Sequence, residues 1–140
     1  MNVEAEEEGG GRVAIVDGSN VAHSTEGGTA QLHNIRLVCR KLEAQDFKPV
    51  VVVDAALRHQ IDDPAGYEAM VGGGGIRQAP AGTDADYFIL SFARELDAYI
   101  VSNDRFKDRL EAFPEARERV IRFMIVKNEV VFERRSQRRA

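Results

Sequence analysis

The 140-residue sequence predicts a single α/β domain: a mostly parallel central sheet with helices on both faces. Three observations carry that expectation. Residues 49–54 read PVVVVD, a continuous apolar run of the kind found in strands buried on both faces of a parallel sheet. Strand-like and helix-like patterns alternate along the chain. Carboxylates gather at three strand or helix boundaries: Asp17 in VAIVDGSN, Asp84 and Asp86 in GTDADYFIL, and Asp104 and Asp108 in AYIVSNDRFKD.

The elements follow in order. Residues 1–11, acidic and then Gly-Gly-Gly, read as a disordered arm, and the folded domain spans 12–133. A β-rich run over 12–16 ends at Asp17. The stretch DGSNVAHSTEGG is rich in turn residues and long for a simple connection, which suggests a functional loop. Leu32, Ile35, Cys39 and Leu42 recur at the helical period, so residues 29–46 form a helix with Cys39 on its core face. Beyond the strand at 49–54, residues 55–72 mix short helical patches with breaks at Pro64 and Gly66. The glycines at 72–75 form a flexible joint; they are no phosphate loop, because no Lys-Ser/Thr follows. A short strand fits 76–79.

Thr83 is placed to cap the next helix, with Asp86 as the reciprocal acid of a capping box. Phe88, Ile89, Phe92, Ala93 and Leu96 give that helix its buried stripe. Residues 98–101 form a strand, expected to lie beside 12–16, and a short helix follows Ser102-Asn103-Asp104. On it Asp104 and Asp108, four residues apart, share one face. Pro114 starts another helical turn. Residues 120–126 and 129–133 form an antiparallel hairpin about Lys127 and Asn128, and 134–140 are a basic tail.

A single cysteine excludes an internal disulfide and fits a reducing compartment. The N-terminus is acidic and lacks the pattern of a signal peptide. No apolar run approaches the roughly 20 residues of a membrane helix. A soluble, cytoplasmic protein without membrane contact is expected. The net charge of −4 at first argues against a nucleic-acid partner. However, Glu4, Glu6, Glu7 and Glu8 all precede the first strand, and without them the chain balances at 19 acidic against 19 basic residues.

Each acid has a bland reading. Asp17 fits turn chemistry. Asp84, Asp86 and Asp104 each suit a helix N-terminus. Together those readings do poorly, because a parallel sheet brings the three groups to one carboxyl edge, where α/β folds bind ligands. Crowded carboxylates repel unless a cation sits among them, and an all-oxygen set suits Mg²⁺ or Mn²⁺. Such an ion acidifies water and stabilises charge on a leaving oxygen, which is the chemistry of phosphodiester hydrolysis. The candidate ligands are Asp17, Asp84, Asp86, Asp104 and Asp108. Asn20, Ser102 and Asn103 are neutral groups suited to orienting those ligands or the phosphate. Arg105 and Lys107 adjoin the third acidic group and are the cations best placed for the substrate backbone; Arg58 and Arg77 are weaker candidates. Asp54 reads as a turn residue before it reads as part of the cluster, and His23 as a loop residue near the site.

At these positions the chain resembles the NYN/PIN-like ribonuclease domain superfamily, and within it the NYN ribonuclease domains found beside CCCH zinc fingers and their stand-alone prokaryotic relatives. The matching strings are VAIVDGSNVA, GTDADYFIL, AYIVSNDRFKD and RFMIVKNEVVF, in the family's order and spread over 12–133. The resemblance implies a PIN-like three-layer α/β/α sandwich. It also implies Mg²⁺- or Mn²⁺-dependent endonucleolytic cleavage of single-stranded RNA. The family's acids map onto Asp17, the Asp84/Asp86 region, Asp104 and Asp108, and its polar motif residues onto Asn20, Ser102 and Asn103. The Asp-Ala-Asp spacing at 84–86 leaves the direct ligand of that pair open. The chain has no Cys/His set for a zinc finger of its own. Homodimerisation stays open.

The alternatives are a catalytically inactive PIN-like RNA-binding module and, less favoured, a receiver-type signalling domain. A receiver wants paired acids where Asp17 is followed by Gly18, and it leaves Asp84, Asp86, Asp104 and Asp108 without a role. A haloacid-dehalogenase-type phosphatase needs an acid where Ser19 stands.

Overall fold

The structure is a computed structural model in which residues 11–25 and 27–133 are described. The basic tail, and the acidic arm apart from Gly11, lie outside the described residues.

Alternation within the strands explains the layers. The first strand, β1 (Val13–Asp17), sends Ala14 and Val16 to one face and Ile15 to the other, and all three are fully buried. β2 (Lys48–Val53) does the same, with Val51 and Val53 on the first face and Val52 on the second. This two-sided burial is why the PVVVVD run carries no polar residue before Asp54. Helix α2 (Leu32–Ala44) covers the first face with Leu32, Ile35, Val38 and Leu42. Helix α4 (Ala85–Leu96) covers the second with Ile89, Leu90 and Ala93. The result is the expected α/β/α sandwich.

Two further strands, β3 (Ile76–Gln78) and β4 (Tyr99–Val101), flank that pair, and β5 (Val120–Ile121) closes the sheet. The order is β3-β2-β1-β4-β5, and every pairing is parallel. β1 therefore lies between β2 and β4, with Asp17 opposite Val52 and Val16 opposite Val101. Their carboxyl ends face the same way, which is the feature that builds the site. The order also differs from the 2-1-3-4-5 order of flavodoxin-like folds, which removes the receiver alternative. A separate antiparallel hairpin, β6 (Phe123–Val126) and β7 (Glu129–Phe132), turns on Lys127 and Asn128. Both have positive φ, 51° and 67°, as a two-residue type I′ turn demands. No helix of the described residues is long and apolar enough to cross a membrane.

Several local expectations need correction. The DGSN stretch is not loop but a short helix, α1 (Gly18–Ala22). Pro64 and Gly66 do not break structure: Pro64 opens helix α3 (Pro64–Gly72), where a proline lacks nothing, and the Asp63 side chain accepts from Gly66 N. Asp84, not Thr83, caps α4, accepting from the backbone N–H groups of Asp86 and Tyr87 at 3.1 and 3.5 Å. Leu96 is exposed at the end of that helix, and Leu90 takes its place in the buried stripe. Residues 120–126 split into β5 and β6, because Arg122 separates a strand of the parallel sheet from the hairpin. A final short helix, α5 (Ala116–Arg119), leads into β5, later than Pro114 suggested.

Gly18 follows Asp17 where α1 crosses β2. A Cβ there would stand 2.5 Å from Val53 Cγ1 and 2.9 Å from Val51 Cγ1. Close approach, not backbone freedom, requires the glycine. Gly18→Ala should destabilise the protein by about 1–3 kcal/mol through overpacking. Urea denaturation tests this; an unchanged midpoint would mean the valines swing aside without cost.

Candidate active site

The site grows from the carboxyl ends of β1 and β4. Asp17 is the last residue of β1, only 7% exposed, and ends a strand whose other residues are all apolar. Its Oδ2 accepts a 2.8 Å hydrogen bond from the Ser102 hydroxyl just beyond β4. Ser102 is fully buried, and its Oγ also accepts from the backbone N–H of Asp104 at 3.0 Å. A hydroxyl has one proton, so accepting from Asp104 and donating to Asp17 fixes both partners at once.

The Asn20 Oδ1 accepts from Asn103 N at 3.0 Å, and the Asn103 Oδ1 accepts from Phe123 N at 3.0 Å. These two amides tie α1 to the 102–104 turn and that turn to β6. The Asp104 Oδ1 accepts from Phe106 N at 2.7 Å, a tight side-chain turn. Ser19 Oγ accepts from Asp54 N at 3.2 Å, and the Asp54 side chain in turn caps the 3-10 turn Ala55–His59 by accepting from Leu57 N.

A cavity of about 460 Å³ opens here, with Asp17, Asp86 and Asp104 in its wall alongside Asn20, His23 and Asp54. Asp86 reaches it from the first turn of α4. The charges feel one another. Burial pushes the Asp17 carboxyl up from 3.8 to about 6; Ser102 and the Asn20 backbone oppose this, and Asp86 and Asp104 add to it. Asp86 is also raised, by burial first and then by Asp104. Three acids from three separate elements thus share one electrostatic environment.

The other two sequence candidates lie elsewhere. Asp84 is exposed, caps α4 and is paired with Arg109. Asp108 is exposed in a 3-10 turn, Lys107–Arg109, and does not share a helical face with Asp104. Phe106 between them has φ 55°, so no helix runs from 104 to 108. Arg105 and Lys107 line a neighbouring pocket rather than the acidic cavity. Arg58 is paired with Glu68, and Arg77 lies over the Phe92 ring. Ser19 and Gln60 also line the cavity. The DGSN motif could have flagged Ser19; nothing in the sequence pattern signals Gln60, which the 3-10 turn delivers.

Among the described residues, no three His, Cys, Asp or Glu side chains converge closely enough to enclose a metal ion alone. Mg²⁺ does not need such a cage, since it keeps several waters and takes one or two carboxylates plus substrate phosphate. The donor set, all oxygen and made of mutually repelling acids, fits such an ion. Asp17, Asp86 and Asp104 are the side chains that would hold it.

A family model described as Zc3h12a-like ribonuclease NYN domain matches residues 10–140, nearly the whole chain. The chain belongs to that family. No curated protein matches the chain closely. Among solved structures, the NYN domain is similar to Arabidopsis thaliana nuclear protein-only RNase P 2, at 24% identity and a TM-score of 0.68, over 86% of this chain and 29% of that one. A second structure of nuclear proteinaceous RNase P 2 from A. thaliana gives 23% identity and a TM-score of 0.70, over 91% of this chain and 31% of that one. The NYN domain spans less than a third of those chains, and at this identity the likeness speaks to the fold.

Proposed function

We propose that this NYN domain is a Mg²⁺- or Mn²⁺-dependent endoribonuclease that hydrolyses phosphodiester bonds in single-stranded RNA. The observation that carries this reading is the cavity shared by Asp17, Asp86 and Asp104, in which burial raises the pKa of Asp17 and the other two acids add to the rise. Membership in a ribonuclease family supports RNA as the substrate class.

The bound ion supplies an acidified water and neutralises charge on the scissile phosphate. The protein's own part is placement. Ser102 and the Asn20 backbone hold Asp17 in one orientation. The Asn20 and Asn103 amides fix the turn that carries Asp104. Asp84 caps α4 and so sets the position of Asp86 in its first turn. Arg105 and Lys107, just past Asp104, are offered to the phosphates of the strand. Asp108 has no part in holding the ion.

Labelled single-stranded RNA and DNA of one sequence, incubated with Mg²⁺, Mn²⁺ or EDTA, test the reading. RNA should be cut internally with either metal and not in EDTA, leaving 5′-phosphate and 3′-hydroxyl ends as water attacks phosphorus and the P–O3′ bond breaks. Full activity in EDTA, or 2′,3′-cyclic phosphate ends, would overturn the mechanism. RNA binding without cleavage under any metal would favour the inactive RNA-binding module.

A further inference from the structure

A second pocket, about 560 Å³, opens beside the residues that follow Asp104. Four cations line it: Arg105, Lys107, Arg117 and Arg122. Among the described residues Glu133 is the one acid in its wall, and Leu110, Ala116 and Val120 give it an apolar floor.

Its position follows from the sheet. Arg122 stands just past the carboxyl end of β5, and β5 pairs with β4, whose carboxyl end carries Ser102, Asn103 and Asp104. Arg105 and Lys107 follow Asp104 directly in the chain. The basic pocket and the acidic cavity therefore adjoin at Asp104 and Arg105, consecutive residues that line one each, near the same sheet edge.

Arg12, Arg58, Arg94, Arg109 and Arg119 each have a carboxylate partner. Among the described residues, none of the four pocket cations has one. The Arg122 Nε is buried with no acceptor among the described residues. The Arg119 Nε is buried likewise, but the rest of that guanidinium is bonded to Asp97 and Ala98 O. A buried donor without an acceptor beside three like charges is costly unless an anion completes it.

The ligand that fits is anionic at one end and apolar at the other. A nucleotide has that chemistry: phosphate for the guanidinium and ammonium groups, ribose and base for the aliphatic floor. We infer that this pocket is a subsite that seats one nucleotide of the RNA strand flanking the phosphate cut at the acidic cavity. The inference rests on the nuclease reading above.

Binding measured in EDTA separates this inference from catalysis. The probe is a fluorescein-labelled single-stranded 12-mer RNA, titrated with the parent protein, Arg117→Glu and Arg122→Gln over a series of salt concentrations. Arg117 is exposed on a surface helix, so its variant should fold, and circular dichroism checks both. Loss of one charged contact should weaken binding about tenfold in each variant. For Arg122→Gln the slope of log affinity against log salt should flatten by about one. Adenosine 5′-monophosphate alone should shift the Leu110 and Val120 methyl resonances. Parent-like affinity and salt slope in both folded variants would overturn the inference. Mononucleotide shifts at those methyls with RNA binding indifferent to both variants would make this a free-nucleotide site instead, and would also overturn it. A parent protein that binds as described but never cleaves keeps the subsite and sinks the nuclease reading. A parent that cleaves while both variants bind normally does the reverse.

Discussion

Asp17→Asn should abolish RNA cleavage while leaving the metal-free protein as stable as its parent or more so. The activity loss follows from removing a central charge from the ion site. A bound ion contributes several kcal/mol to the transition state, so turnover should fall by roughly a thousandfold or more. The stability gain follows from the pKa. Burial and two neighbouring acids raise Asp17 from 3.8 to about 6. A group raised on folding contributes stability that is full below its unfolded pKa and lost as the pH rises through its folded one. At about pH 7 the charged side chain therefore costs the metal-free fold about 3 kcal/mol, at about 1.4 kcal/mol per pKa unit. An asparagine carries no charge and keeps an oxygen for the Ser102 hydroxyl. Melting in EDTA should be higher for the variant near pH 7, and the gap should close as the pH approaches 4. A fall of several degrees near pH 7 would mean that Asp17 is chiefly a structural cap.

Asp86→Asn and Asp84→Ala should separate cleanly, although the residues stand two apart. Asp86 faces the cavity, and burial, with Asp104 adding to it, raises its pKa. Its substitution should cost activity on the scale of Asp17→Asn with little change in stability. Asp84 caps α4 and is paired with Arg109. Its loss should cost about 0.5–2 kcal/mol of stability, the usual value of an N-cap, and leave turnover within a few fold. Parallel melting curves and single-turnover cleavage check both. If Asp84→Ala is inactive and Asp86→Asn is not, the two assignments exchange.

Much of this arrangement is legible without coordinates, for a physical reason. A strand buried on both faces must be apolar at every position, so β2 declares itself through Val51, Val52 and Val53. Once β1 and β4 are parallel neighbours, Asp17 and Asp104 must meet, whatever the loops do. The rest depends on local backbone choices that residue patterns do not encode. Whether Asp84 or Asp86 faces the cavity turns on where α4 begins. Asp84 is extended, at φ −72° and ψ 108°, and folds back on the helix N–H groups, so Asp86 is left to face the cavity. The pairing of Asp104 with Asp108 presumes a helix, and the left-handed Phe106 ends that presumption. β5 is hidden because it is two residues long and runs straight into the hairpin at Arg122. From its motif Ser102 could orient either the acids or the phosphate, and it is fully buried against Asp17 and the Asp104 backbone, on the side of the acids.

The central claim is that acids from β1, α4 and the turn after β4 form one ion site. A calorimetric titration of Mn²⁺ into the parent, Asp86→Asn, Asp104→Asn and the double variant tests it most directly. Residues acting on one ion are not independent. Each single substitution should weaken binding, and the double variant should lose clearly less than the two single losses combined. Additive losses, or a single variant that binds Mn²⁺ as the parent does, would contradict a shared site.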